Sequence, residues 1–318
     1  MESDAFTQLI APHKRELLAH CYRMSGSMSD AEDLLQESLI RAWKGIDTFE
    51  GRASLRTWLY RVTTHACLDA LDKKSMRVLP TDLGPPSDGL SPPPALSVEP
   101  AWIEPCSEEL EVEVSPEARV GARESVALAF LSALQHLSAQ QRAVLLLRDV
   151  LGLEASECAE LLDLSVASVN SSLQRARESV DTRAKAKSVA PADEATRSLL
   201  ARYVRAWEGA DVKDLVSLLH EDATLSMPPL PFWLSGADAI GASLAEMVLT
   251  PTAAGKFKCV ITRANGAPAI ASYERDDTGA FHKRSLTVLE IEGDRVRSIT
   301  AFLDARSFSS FDLPATLS

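Results

Sequence analysis

Between Leu137 and Arg177 the apolar positions recur at helical spacing in three short runs. The first carries Val144, Leu145 and Arg148, and the second runs from Ala155 to Leu162. Asp163-Leu164 marks a tight turn, and Ser165 stands where its hydroxyl can cap a third helix. Val169, Leu173 and Ala176 then form an i, i+4, i+7 stripe that predicts burial, with Ser168, Ser171, Ser172 and Arg175 on the opposite face. The last two runs stand in helix-turn-helix order. A face of short polar and cationic side chains can enter a DNA major groove, because it lets a helix approach base edges and phosphates closely. A solvated helix in an ordinary bundle has the same spacing.

The pattern upstream is also helical. Over residues 1–76, Ser29-Asp30-Ala31-Glu32 reads as a capping box opening a helix with Leu35, Leu39, Ala42 and Ile46 on one face and Asp33, Gln36, Glu37 and Arg41 on another. Gly51 breaks the run, and a helix from Ser54 is expected to bury Leu55, Trp58, Leu59, Val62 and Ala66, with Arg56, Tyr60, Arg61, Thr64 and His65 on its other faces. Residues 77–118 are proline-rich and then acidic (Glu104, Glu108, Glu109, Glu111, Glu113, Glu117), a composition that predicts a linker in which Trp102 and Ile103 are points for docking. The helix-turn-helix block spans 119–184. Residues 193–318 open with two helical runs, Leu199, Leu200, Tyr203, Val204, Trp207 and then Leu215, Leu218, Leu219, and continue as four strand candidates with turns at Gly279 and Gly293-Asp294. Helices followed by a meander predict an α+β domain with helices on a curved sheet.

Composition narrows the function classes. The 318 residues allow two or three domains, and 46% apolar residues are ample for globular cores. No apolar run reaches the roughly 20 residues that span a bilayer, and the N-terminus lacks a signal-peptide pattern. The five cysteines form no CxxC pair and no metal spacing, which points to reduced thiols, a cytoplasmic setting, and neither metal nor cofactor. A net charge of −12 argues against tight autonomous DNA binding, since phosphate neutralisation supplies most non-specific affinity. DNA binding by this chain therefore calls for a partner.

The stretches D-A-E-D-L-L-Q-E, F-x-G-R-A-S-L-R-T-W-L-Y-R-V and A-C-L-D resemble region 2 of the extracytoplasmic-function (ECF) group of sigma-70 factors, and the block from Leu137 to Arg177 resembles their region 4. The resemblance implies an all-α region 2, an all-α helix-turn-helix region 4, and core RNA polymerase and promoter DNA as partners. It implies that Asp33, Gln36, Glu37 and Arg41 dock on the β′ clamp helices, against the alternative of a solvated face with i,i+4 pairs. It implies that region 4 meets the β flap. Phe49, Arg52 and Ser54 match the loop that captures a flipped base of the −10 element, and Arg56, Tyr60, Arg61, His65, Lys73 and Lys74 are placed to meet phosphates or unpaired bases. Arg142, Arg148, Ser168, Asn170, Ser171, Ser172, Arg175 and Arg177 are the corresponding candidates for the −35 element. His65 stands where the family often has Asn, Asp163 replaces a turn Gly, and Asn170 and Ser172 replace common cations. The linker matches the segment that threads the polymerase channel, against the alternative of a passive tether.

Residues 193–318 resemble the SnoaL-like, nuclear transport factor 2-like cone, on Y-V-R-A-W-E-G-A-D-V-K-D-L-V-S-L-L-H-E-D-A-T-L-S-M-P-P, the G-A-D-A-I segment and the closing A-F-L-D-A-R-S-F. Such cones enclose an apolar pocket, for which Trp207, Met227, Phe232, Trp233, Tyr273 and Phe302, with Phe257, are candidates, set against plain core roles. A small-molecule ligand of the cone is a candidate partner. His220, Asp222, Tyr273, His282 and Asp304 are the candidates for acid–base chemistry, and no motif fixes a catalytic pair. The expectation is a non-enzymatic initiation factor whose cone modulates it in cis. An active hydrolase or isomerase cone is one alternative, and a repressor acting without polymerase is another.

Overall fold

The structure, a computed structural model, describes residues 3–51, 53–72, 74–88, 101–107, 110, 127–183, 194–304, 308 and 310–318. Arg52, Lys73, Glu108, Glu109, Glu111, Glu113 and Glu117 lie outside the described residues. The chain forms two compact units, one of residues 1–77 with 109–186 and one of residues 78–108 with 187–318.

The first unit is helical. Its N-terminal half comprises α1 (Ser3–Ile10), α2 (Lys14–Ser25), α3 (Met28–Gly45) and α4 (Leu55–Leu71). Gly26 ends α2 in the left-handed region, φ 72°, and returns its N–H to the Tyr22 carbonyl at 2.7 Å. Because α2 stops there, α3 starts at once: its cap is Ser27, whose hydroxyl accepts from the Asp30 N–H at 3.1 Å, two residues before the Ser29 that the S-x-x-E pattern singled out. The buried side of α3 is Met28, Ala31, Leu34, Ser38 and Ala42, leaving Leu35 and Leu39 half-buried on its flank. Ser54 caps α4 as expected. Two faces of α4 are buried, however, since it packs on α2 and α3 and also on the helices of the second half. Tyr60 and Thr64, expected to face outward, are therefore inside, with Tyr60 3% exposed and Thr64 bonded to His20 Nε2 at 3.0 Å.

The second half comprises α5 (Leu128–Gln135), α6 (Ala139–Leu145), a π-type turn (Leu146–Val150), α7 (Ala155–Leu162) and α8 (Val166–Arg183). Asp163 takes the left-handed conformation (φ 54°, ψ 43°) between α7 and α8, so the turn forms without glycine. Ser165 accepts from the Ser168 N–H at 3.1 Å, and Val169, Leu173 and Ala176 are buried. Ser172 is buried too, at 3% exposure. It follows Val169 by three residues, which sets it on the same side of the helix. Arg142 is 6% exposed and joins the halves: its guanidinium donates to the carbonyls of Leu134, Gln135 and Leu137 at the end of α5, and to the Met24 carbonyl at the end of α2. A cation there complements two helix C-termini. Burial lowers its pKa to about 10, which leaves it charged.

The second unit is α+β. Three helices, α9 (Glu194–Glu208), α10 (Val212–Ser217) and α11 (Ala237–Met247), pack with a seven-stranded sheet. The strands are β1 (Leu219–Ser226), β2 (Trp233–Ser235), β3 (Phe257–Ala264), β4 (Ala267–Arg275), β5 (Phe281–Glu292), β6 (Arg295–Phe302) and β7 (Thr316–Leu317). Their order is β2-β1-β6-β5-β4-β3, with β7 beside β5, and only the β1–β6 pair is parallel among the described strands. All four expected strands are present, and Gly293, at φ 64°, turns β5 into β6. The His220-Glu221-Asp222 segment, which holds two of the acid–base candidates, lies on β1. Its pairing with β6 slips between Leu219 and Thr224, and so irregular a strand carries no clean alternation to read.

The linker is not a separate tether where it is described. Val78 pairs with Trp102, Ile103 and Cys106 are each 1% exposed, and Cys106 exchanges backbone and side-chain hydrogen bonds with Asn265. Trp233 Nε1 donates to the Gly84 carbonyl at 2.9 Å, and Ser87 N–H to the Trp233 carbonyl at 2.8 Å. Composition predicts that this segment cannot fold alone; docking on the sheet supplies the burial it lacks.

Candidate nucleic-acid interface and cone cavity

α3 brings Asp33, Gln36 and Glu37 to the surface with Arg41, whose guanidinium bonds Glu37 at 2.8 Å and Asp69 at 2.6 Å. Next to this polar strip is an apolar groove of about 490 Å³ that includes Phe6, Leu18, Leu39, Ile40 and Trp43. Ile40 and Trp43 are 42% and 37% exposed. The sequence reading missed both, because their exposure depends on where α1 stops, and Phe6 meets Trp43 edge-on at 5.0 Å.

The residues matched to the −10 element come together only in part. Phe49, Ser54, Trp58 and Arg61 line a cleft of about 660 Å³, with Phe49 and Trp58 rings 5.3 Å apart. Its other wall carries Glu157 and Glu160 of α7. Arg61 is paired with Asp163 at 2.8 Å, and His65 Nε2 lies 2.9 Å from the Leu161 carbonyl. Arg56 pairs with Glu16 at 2.8 Å and lies over the Tyr60 ring, whose hydroxyl donates to the same carboxylate. Burial first, then the Glu16 charge, pushes the Tyr60 phenol far up, so it is a neutral donor within the bundle. Lys74 and Arg77 both bond Asp30 at 2.8 Å. Burial works to raise the Asp30 carboxyl, but these two hydrogen bonds and charges outweigh it and hold the group below its ordinary value. Every described Arg and Lys of this set therefore already has a carboxylate partner.

On α8, Asn170, Ser171 and Arg175 are exposed and Ser168 is half-buried, forming a continuous strip. Gln174, which the sequence reading passed over, belongs to it, four residues after Asn170, and donates to Glu178 at 3.0 Å. Gln is a bidentate partner for adenine, so its i+4 spacing from Asn170 was the available signal. Three expected contacts are corrected. Ser172 and Arg142 are buried, and the half-buried Arg148 guanidinium is turned to the Leu153 carbonyl. Arg177 is exposed and donates through Nε and Nη2 to Asp149, at 2.9 and 2.6 Å.

In the second unit, α9 and the inner sheet face enclose a cavity of about 190 Å³. Trp207 and Met227 line it as expected, together with Tyr203 and Phe257. Tyr273 and Phe302 do not: Tyr273 follows the lining residue Ser272, and Phe302 follows Ala301, so alternation turns each to the opposite face, where Tyr273 donates to the Pro314 carbonyl at 2.8 Å. Phe232 is in the core cluster, and Trp233 is committed to Gly84. None of the five acid–base candidates lines the cavity; His220 meets Arg297, and His282 meets Asp276. Its polar lining is Tyr203, Trp207, Ser272, Arg284, Ser285 and Thr287.

Comparison with known proteins shows the family of both helical halves. The family profile described as Sigma-70 region 2 matches residues 9–77, and that described as Sigma-70, region 4 matches residues 127–180. The chain is 45% identical over 316 residues to the ECF RNA polymerase sigma factor SigG of Mycobacterium tuberculosis, covering 98% of this chain and 85% of that one. It is 30% identical over 214 residues to SigJ of the same species, covering 67% and 62%. The crystal structure of Mycobacterium tuberculosis SigJ superposes with a TM-score of 0.62 at 21% identity, over 98% of this chain and 100% of that one, which shows a shared fold. No described helix is long and apolar enough to cross a membrane.

Proposed function

Since the chain belongs to the ECF sigma factors of the sigma-70 family, which direct promoter-specific initiation by RNA polymerase, we propose that its cone modulates that activity in cis by holding the linker. The observation that carries this reading is the set of hydrogen bonds from Gly84, Ser87 and Cys106 to Trp233 and Asn265. By family resemblance this segment threads the polymerase channel, so a linker fastened to the cone has to be released first. Asp33, Gln36, Glu37 and Arg41 with the adjoining groove serve the β′ clamp helices, and region 4 serves the β flap. Phe49, Ser54, Arg56, Arg61, His65 and Lys74, with Arg52 and Lys73, take the −10 strand, while Ser168, Asn170, Ser171, Gln174, Arg175 and Arg177 take the −35 element. The cone acts by binding rather than catalysis, a reading supported by a lining without carboxylate or imidazole among the described residues.

Promoter-specific transcription with core polymerase tests the proposal. Asn265→Gly keeps the left-handed backbone at φ 53° but removes the amide that holds Cys106. Losing that one hydrogen bond is expected to raise activity about fivefold. A chain truncated after Lys187 is expected to respond differently from the full chain. Unchanged activity and polymerase binding in both variants would sink the regulatory role.

A further inference from the structure

We propose that the cone cavity binds a small, largely apolar organic acid that carries a second acceptor oxygen, with its carboxylate at Arg284 and its other oxygen at Tyr203 and Trp207. This deepens the reading of the cone as a binding module and rests on it. Size comes first. An apolar cavity of roughly 150 Å³ takes one benzene ring, so the 190 Å³ here admits a ring with a short substituent, the charged group remaining at the mouth.

The polarity of the wall sets the chemistry. Tyr203 and Trp207 are one turn apart on α9, their rings stacked 6.2 Å apart at 8°. Tyr203 Oη and Trp207 Nε1 are both buried and find no hydrogen-bond partner among the described residues. Buried donors ordinarily have partners, and two unpaired donors on one cavity wall call for an acceptor from a ligand. Arg284 reaches the cavity through a bulge: Ser272 opposes Ser285 while Tyr273 opposes Lys283, so Arg284 is the extra residue and lines the cavity beside Ser285. Arg284 contacts Glu274 at 3.1 Å, but Lys256 shares that carboxylate at 2.8 Å, so this trio of side chains carries one more cation than anion. The remaining polar lining is hydroxyl, so the site offers donors and one guanidinium to an anion.

Calorimetric titration of the full chain tests this with three isosteric probes: 4-acetylbenzoate, 4-isopropylbenzoate and 4-acetylbenzamide. The expected result is saturable binding of 4-acetylbenzoate, with loss of either the carbonyl or the charge weakening binding about tenfold. Tyr203→Phe should bring 4-acetylbenzoate part of the way down to the affinity of 4-isopropylbenzoate, Trp207 still holding the carbonyl, without lowering the chain's Tm, because the lost hydroxyl has no partner among the described residues of the free protein. Arg284→Gln should erase the preference for acid over amide, and Arg284→Lys should restore part of it. Equal affinity for all three probes, or no binding at millimolar concentration, overturns the proposal. Binding is read on the chain alone, so its failure is distinct from a failure of the transcription test.

Discussion

The clasp between the two helical halves predicts a measurable gain of function. Arg61 and Asp163 are 102 residues apart in sequence and 2.8 Å apart in space, and Glu157 and Glu160 wall the cleft proposed for the −10 strand. On that proposal DNA enters only after α7 leaves α4, because those carboxylates face the cleft. Asp163→Asn removes the charge, keeps a side chain that tolerates the left-handed backbone, and changes nothing on α4. The two side chains are 44% and 62% exposed, so the pair is worth about 0.2–1 kcal/mol, which shifts the opening equilibrium about 1.4- to fivefold. Fluorescence energy transfer between labels on α4 and α8 of the full chain reads the open fraction directly. Promoter binding by the holoenzyme should rise by the same factor. Because the pair is exposed, the gain should shrink as salt is raised past a Debye length of about 10 Å at 0.1 M. An Asn variant no more open than the parent at low ionic strength would refute the clasp as the restraint.

Substitutions on α8 should separate its faces: Asn170→Arg adds an exposed cation and is expected to steepen the salt dependence of promoter binding by about one counterion. Ser172→Arg, at a 3% exposed position, is expected instead to lower the urea midpoint without strengthening binding. Burial, helped by the Arg23 charge, lowers the His20 pKa from 6.5 to about 3, so between those values the unfolded chain holds a proton that the folded chain does not. Stability is therefore full above pH 6.5 and should fall by up to about 1.4 kcal/mol per pH unit as pH drops towards 3, with a flatter profile in His20→Gln, read by urea unfolding against pH. Gly241→Ala would place a Cβ 2.5 Å from Val216 Cγ2, and such overpacking should cost the cone about 1–3 kcal/mol, seen as a lower Tm.

What the amino-acid sequence determined by itself was local. The helix-turn-helix, its Ser165 cap, the left-handed Asp163, the buried stripe of Val169, Leu173 and Ala176, and the Gly293 hairpin were legible because each depends on residues within about a turn of itself. The function was legible from two motifs in order. Tertiary structure decided which faces stayed outside. Tyr60 and Arg142 look like surface groups until α2, α4 and α5 converge, since each satisfies its polar atoms on elements its own spacing does not reveal. Tyr273 and Phe302 missed the cavity through strand parity, and Arg284 entered it through a bulge that no alternation encodes. The linker composition excluded independent folding, yet its partners, Asn265 and the indole of Trp233 among them, came from the tertiary structure. Long-range pairing and burial depend on elements that meet after the chain has folded, and local patterning carries no record of that meeting.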